Sequence, residues 1–326
     1  MAEWLVEDGI GEQRAVLLDK GQIVAARLQW PGTIAAGAVV EAVVVERYPG
    51  TNHALVRLPD GTEAHARRLP KADSEGSTVT VVVEREAIAE RGRLKRAQVT
   101  RTDSPVNPSP TLAESLAAEG HPVRVVHRFQ AEADWEELFA QAWSGEVTFL
   151  GGTLLFADTP AMTLVDVDGY PVEAISMNAV PALAGALRRF DLAGNIGIDF
   201  PTLTDKGDRR AVDRALEQAL TGWPHERTAM NGFGFVQIVA RLTRASILRR
   251  ISLSRVGSAA RIALRRAERV EGPGVTLLTI HPALRAKLRP EWLVELERRT
   301  GRPVRLKTDP GLALEAACAQ IVPHEH

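Results

Sequence analysis

The chain is poor in the residues that would staple it, anchor it or draw it to a polyanion as a whole. It has one cysteine, Cys318, in 326 residues. That excludes an internal disulfide and any cysteine-built zinc site, and a reducing, cytoplasmic setting is the expectation. Aromatic residues make up only 5% of the chain, with two tyrosines. Forty basic residues face 41 acidic ones, for a net charge of −1. Any attraction for nucleic acid must therefore come from a local patch. No apolar run approaches the ~20 residues that cross a bilayer, so no membrane partner is expected. The opening "MAEWLVEDGIGEQRAVLL" lacks the apolar core of a signal peptide. The histidines form no HExxH pair, no serine sits in a GxSxG turn, and the closing "PHEH" reads as a frayed end.

What is present divides into a β-rich first third and a mixed remainder. Residues 1–35 read as two or three strands turning at "LDKGQ" and "WPG". From Gly37, "AVVEAVVVERY", "HALVRL" and "STVTVVVERE" alternate around the turns "PGTN" and "PDGT". About five short strands in so short a span suit a small closed barrel such as an OB-fold. "TDSPVNPSP" (102–110) breaks the pattern. A helix over 132–143, a hairpin at Gly151-Gly152 and a strand ending at Asp166 follow.

"NAVPALAGALRRF" places Val180, Leu183, Ala184 and Leu187 on one helical face, with Asn178 as N-cap. "NIGIDF" is a strand. "DKGDRRAVDRALEQAL" carries Val212, Ala215, Leu216, Ala219 and Leu220 as one stripe. Strand, helix, strand, helix implies a parallel or mixed α/β sheet. Residues 234–270 read as helical and basic, with nine arginines against one acid between 241 and 269. Cys318 in "LALEAACAQIV" reads as a core residue of a helix.

Two signals carry chemistry. Asp166 and Asp199 end strands separated by one helix, so both emerge at one sheet edge if the strands are parallel neighbours. Asp168 shares the face of Asp166 by the two-residue period. Grouped carboxylates repel, and a hard divalent cation relieves that repulsion. Magnesium commonly takes one or two carboxylates plus substrate phosphate. The alternative is aspartates that cap helices or stand in solvent. The arginine run is the second signal: a phosphate backbone would suit it, and a solvated helix face is the bland reading.

Several ordered motifs resemble the bacterial ribonuclease E/G family, strongly from about 147 to 310 and weakly before. "LGGTLLFADTPAMTLVDVDG" is similar to that family's Gly-Gly hairpin and I-D-V-N-x-G strand. "ALRRFDLAGNIGIDF" resembles its R-L-R-x-L-G-G-x-I-x-I-D-F, and "GFGFVQIVARLTRAS" its F-G-L-x-E…T-R-x-R. A phosphatase of the haloacid-dehalogenase type also uses an aspartate in such a "DVDG", but Tyr170-Pro171 stands where its threonine belongs.

The resemblance implies an α/β (α+β) architecture. An OB-fold (36–101) is inserted in an RNase-H-like subdomain (1–35 and 102–160), with a DNase-I-like catalytic subdomain (161–326) after it. It implies magnesium, or manganese in its place, on Asp166 and Asp199, with Asp168 as third ligand or water holder. The activity implied is cleavage of single-stranded RNA. Arg241 and Arg244 become candidate phosphate clamps, and Lys206, Arg209 and Arg210 flank the second strand end. Tyr48, His53 and Arg57 are candidate RNA contacts on the barrel. Pro160, Gln237, Ala240, Leu242 and Thr202 depart from the family pattern. The zinc-linking cysteines and the 5′-monophosphate pocket are missing. The expectation is a reduced enzyme, monomeric or weakly dimeric, with no zinc and no zinc-linked tetramer. The alternative is an RNA-binding relative that does not cut.

Overall fold

The computed structural model describes residues 3–129 and 135–323. The expected helix residues 132–134 and the last three of "PHEH" lie outside that range. Strands β1 (Trp4–Gly9), β2 (Glu12–Asp19) and β3 (Gln22–Gln29) form an antiparallel meander. The chain then builds a closed barrel from β4 (Val39–Arg47), β5 (Ala54–Arg57), β6 (Glu63–Arg67), β7 (Thr78–Arg85) and, after a two-stranded ribbon of β8 (Ile88–Glu90) and β9 (Arg93–Lys95), β10 (Ala97–Arg101). The order β10-β6-β5-β4-β7, with β6 and β10 parallel, is OB-like. Inward positions alternate along most strands, with register shifts at Val44–Glu46 and Gln98–Val99. Ala42, Ala54, Ala64, Ala66 and Ala97 with Val44, Val56, Val81, Val83 and Val99 fill the interior, and small side chains let so narrow a barrel close.

Past the linker, α1 (Leu112–Ala118) opens with a capping box in which Thr111 and Glu114 satisfy each other's backbone. Next, β11 (Val123–Val126) adds to β1 in parallel, so the barrel interrupts a four-stranded sheet. Helix α2 (Trp135–Ser144) leads into the main sheet. That sheet comprises β12 (Glu146–Phe149), β13 (Gly152–Asp158), β14 (Thr163–Gly169), β15 (Gly194–Asp199), β16 (Glu226–Arg227) and β17 (Phe235–Ala240), in the order β12-β13-β14-β15-β17-β16. Helices α3 (Val172–Arg189) and α4 (Lys206–Ala219) follow β14 and β15.

Only β14 and β15 are parallel neighbours, which makes the sheet mixed. One face carries Leu154, Val165, Val167, Ile196, Ile198, Val236 and Ile238, all buried in one core with Val180, Leu183 and Leu187 of α3. That core also takes in Leu5, Val16, Ala26 and Leu28 of the first sheet. On the alternate face Asp166, Asp168, Asn195, Asp199 and Val239 are exposed, while Leu155, Leu164, Phe235 and Gln237 are half-buried and Gly197 is buried beneath Phe235, Met162 and Leu164.

The C-terminal unit is α5 (Ile247–Leu253), α6 (Arg255–Arg269), β18 (Val275–Ile280), α7 (Pro282–Arg285), α8 (Pro290–Thr300), β19 (Val304–Thr308) and β20 (Cys318–Val322). It has its own core, around Ala260, Ala263, Leu278, Ile280 and Leu296.

Three expectations change. Residues 235–240 are a strand rather than helix, because Val236, Ile238 and Ala240 bury with period two. Cys318 is exposed on β20, which pairs with β18, instead of filling a helical core; a short apolar run does not distinguish the two states. Asn178 lies inside α3, whose N-cap is Pro171, and its Nδ2 donates to Leu150 O at 3.1 Å. No helix among the described residues is long and apolar enough to cross a membrane.

Candidate active site

The parallel register pairs Asp166 directly with Asp199. Adjacent strands stand about 4.8 Å apart, and paired positions face the same side. Both carboxylates therefore share the open face, Asp199 at the C-terminal end of β15 and Asp166 in the middle of β14, which runs on to Gly169 instead of ending at Asp166 as expected. Asp168 lies two residues further along the same face of β14, opposite Thr153 of β13. All three are exposed. Among the described residues no side chain bonds or ion-pairs with any of them, in a protein whose other charged groups are extensively paired.

Local sequence explains why the chain presents these groups. Gly152 and Gly169 are register partners across β13 and β14. A Cβ on Gly152 would meet Asp168 O at 2.3 Å, and one on Gly169 would meet Ile175 Cδ1 at 2.2 Å. The missing side chains let α3 begin immediately beyond the carboxylates. Gly169 also takes φ +146°, which costs glycine little. The N-terminus of α3 therefore lies at the carboxylate end of the sheet, and its partial positive charge offsets some of the repulsion between the acids. Sequence reading did not single out this glycine pair.

The donor set fits a hard cation: two register-paired carboxylates open to solvent, with a third close along the strand. Among the described residues no group of three or more His, Cys, Asp or Glu side chains is drawn together tightly enough to hold a metal.

The structure separates the expected basic residues. Lys206, Arg209 and Arg210 lie on the first turns of α4 and line a cleft of about 310 Å³ with Asp213, Met230 and Gly232, beyond the end of β15. Arg209 is committed to its own loop, donating from Nη1 to Leu203 O and to Thr204 O, the latter at 3.0 Å. Lys206 and Arg210 have no side-chain partner among the described residues.

Arg241 and Arg244 follow β17, whose Ala240 pairs with Gly194 at the opposite end of β15 from Asp199. Five residues of strand put them about 17 Å from the carboxylate row. There Arg244 Nε donates to Asp191 Oδ2 at 2.7 Å. Burial pulls its pKa down, but Asp191 outweighs this and holds it above the usual arginine value. Arg241 is exposed on a groove between the barrel, α1 and this end of the sheet.

The arginine run is internal wiring. Arg249 makes a two-pronged pair with Asp158, Arg250 pairs with Glu86, and Arg265 pairs with Glu12. Arg266 and Arg269 meet Glu136. Arg255 packs on Trp143, and Arg261 lies 4.0 Å from the ring centre of Trp30. Only Arg241 of the nine lacks a partner among the described residues, which corrects the reading of the run as a phosphate surface.

On the barrel, Tyr48 and His65 share a hydrogen bond, Tyr48 Oη to His65 Nδ1 at 3.1 Å. Burial, then Arg96 and Arg85, push His65 below the ordinary imidazole pKa. His53 and Arg57 are exposed. His65 was not among the expected contacts. Its signal was the outward alternate position on β6 between Ala64 and Ala66. Glu86 ties the barrel to the far end of the main sheet, accepting from Ala245 N at 2.9 Å while its own N–H donates to Thr243 O at 3.0 Å.

No family model matches the chain. Curated relatives do. Ribonuclease G of Escherichia coli is 36% identical over 110 residues, covering 30% of this chain and 22% of that protein. Ribonuclease G of Shigella flexneri matches to the same extent, and that of Salmonella typhimurium is 34% identical over the same length. The chain thus spans less than a quarter of the length of the relatives it matches. That identity, beside a closed five-stranded barrel and a register-paired aspartate couple, is a likeness to ribonuclease G over about a third of the chain.

Proposed function

We propose that the protein is a divalent-metal-dependent endoribonuclease acting on single-stranded RNA, without recognition of a 5′ monophosphate. The observation that carries this is the register pairing of Asp166 with Asp199, exposed and unpartnered, on adjacent parallel strands. Asp166 and Asp199 would hold magnesium, or manganese in its place, with Asp168 positioned to orient water. When bound, the metal supplies Lewis-acid polarisation of a phosphodiester and a water of lowered pKa. The chain's own residues do the rest. Lys206 and Arg210 place positive charge beyond the end of β15 to meet the RNA backbone. The open sheet face leaves room for a strand of RNA across the carboxylates. The barrel offers Tyr48, His65, His53 and Arg57 for weak, sequence-tolerant contact. The subdomain reading goes with this: an OB-fold set into an RNase-H-like part, then a DNase-I-like part carrying the carboxylates.

A second reading, an RNA-binding protein that does not cut, draws on the absence of a three-residue metal cluster among the described residues. It also draws on Pro160, Gln237, Ala240, Leu242 and Thr202 where the family pattern differs. An assay on a 5′-labelled, A/U-rich single-stranded RNA separates the two. Internal cleavage with magnesium that disappears with EDTA and in Asp199→Asn supports the enzyme, and equal rates on 5′-hydroxyl and 5′-monophosphate ends support the missing sensor. Binding that survives EDTA without any cleavage supports the second reading.

A further inference from the structure

The three most exposed large apolar side chains named along the described chain are Tyr170 at 83%, Leu150 at 81% and Phe233 at 80%. They are far apart in sequence, yet all project from one end of one sheet. Leu150 sits in the β12–β13 turn, next to the Gly152–Gly169 pair. Tyr170 follows Asp168 by two residues. Phe233 precedes by two residues Phe235, the register partner of Asp199. Tyr170 therefore lies beyond the strand of Asp166 and Phe233 beyond the strand on the other side of Asp199, past strands about 10 Å apart.

Neither aromatic hangs from a loose segment. Asn231 Oδ1 accepts from Phe233 N at 2.9 Å and from Phe235 N at 3.0 Å, and Gly234 N donates to Asn231 O at 3.2 Å. Tyr170 is held between Gly169 and the N-cap Pro171. A fixed backbone that presents a large apolar ring to water has left surface for something to cover.

Charge and shape indicate the occupant. The rings flank carboxylates that suit a cation, and Gly232, next to Phe233, lines the cleft that holds Lys206 and Arg210. Apolar π-faces beside a cation-and-phosphate locus match a ligand whose flat, uncharged groups alternate with phosphates. We propose that Tyr170 and Phe233 are a pair of nucleobase-stacking platforms that grip unpaired RNA bases on the two sides of the phosphate at Asp166 and Asp199. Leu150 extends the Tyr170 side. This rests on the nuclease reading for its location, but stacking itself needs no cleavage.

The test uses short single-stranded RNAs with 2-aminopurine walked along the sequence, bound to the full chain in EDTA and, separately, assayed for cleavage with magnesium. The proteins are wild type, Tyr170→Ala, Phe233→Ala, and Phe233→Trp as the conservative control. Both rings are exposed, so the variants are expected to fold. Quenching at positions on either side of the cleavage point is expected, lost on one side in each alanine variant and kept in Phe233→Trp. Affinity or kcat/KM should drop roughly fivefold to 150-fold per ring, and an abasic nucleotide at the matching position should erase that difference.

Quenching without cleavage would sink the nuclease and leave the platforms standing. Normal cleavage and quenching in both alanine variants would sink the platforms and leave the nuclease. A concentration-dependent dimer in sedimentation, lost in Tyr170→Ala and Phe233→Ala while RNA binding is unchanged, would make the patch a contact between copies and overturn the proposal.

Discussion

Arg265 on α6 forms a buried ion pair with Glu12 on β2, 253 residues earlier in the chain, and each side chain is 5% exposed. Arg14 joins the same cluster, pairing with Glu7 and lying over Phe129 and Trp135. Removing one member leaves a buried charge uncompensated, at a cost of about 3–5 kcal/mol. Glu12→Gln and Arg265→Ala should each lower the free energy of unfolding, read by urea titration, by that amount at pH 7. Burial works to raise the pKa of Glu12, but Arg265 and Arg14 prevail and hold it below 4.5. A depressed carboxyl contributes stability above its unfolded pKa and loses it as pH falls through the folded one. The wild-type midpoint should therefore fall on acidification below about pH 4.5, more steeply than that of Glu12→Gln.

The aspartates should behave in the opposite sense. Asp166 and Asp199 are exposed like charges with no partner, so neutralising one removes repulsion of up to about 1 kcal/mol. Asp166→Asn and Asp199→Asn are expected to keep or slightly raise Tm while cutting magnesium-dependent cleavage at least about a hundredfold. Calorimetry beside the cleavage assay checks this. A fall in Tm would assign the pair a structural role.

Arg249 meets Asp158 with Nε at 3.0 Å and a second prong from Nη2, both side chains 12% exposed. A lysine has no planar fork to reproduce this. Arg249→Lys should cost about 1.5–3 kcal/mol, nearly as much as Arg249→Ala, in equilibrium unfolding.

Lys206 and Arg241 separate the two ends of the sheet. Lys206→Ala should weaken RNA binding uniformly across sequences and reduce the slope of log K against log salt by about one. Arg241→Ala, some 17 Å of strand away, should leave cleavage unchanged. Salt titrations of both variants decide it; equal slopes would put the RNA path elsewhere.

Gly169→Ala places a methyl 2.2 Å from Ile175 Cδ1 and 2.5 Å from Gly151 O, at φ +146°. Strain of about 1–3 kcal/mol should be relieved by a shift of the Gly169 end of β14 away from Gly151 and α3, carrying Asp168 with it. A lower Tm together with weakened metal binding by calorimetric titration is the expected pair of results.

Much of this was legible in the chain. The barrel showed itself because its inward positions alternate along most strands and its turns carry Gly, Asp and Asn. The helical stripes of α3 and α4 showed because Leu183, Leu187, Val212 and Leu216 recur at helical spacing, and all are buried. The arginine run misled for a physical reason. Its partners Glu12, Glu86 and Asp158 lie roughly 90 to 250 residues away, and local spacing carries no trace of them. Tyr170 and Phe233 are not distinguished as exposed rings by local spacing. Their signal was the small or rigid neighbours, "GYP" and "GFG", directly at strand ends.

The lone parallel step in the main sheet, β14 to β15, sends its crossover helix to one side only, and the carboxylate-bearing face is left without a helix over Asp166 and Asp199. A face without a covering helix is a shelf rather than a tunnel. A polymer can be set down on it broadside, at any point along its length, with no terminus to thread and no length to measure. On the proposed nuclease reading, the position of a cut along an RNA would follow which stretches lie flat and unpaired, not how far they are from an end.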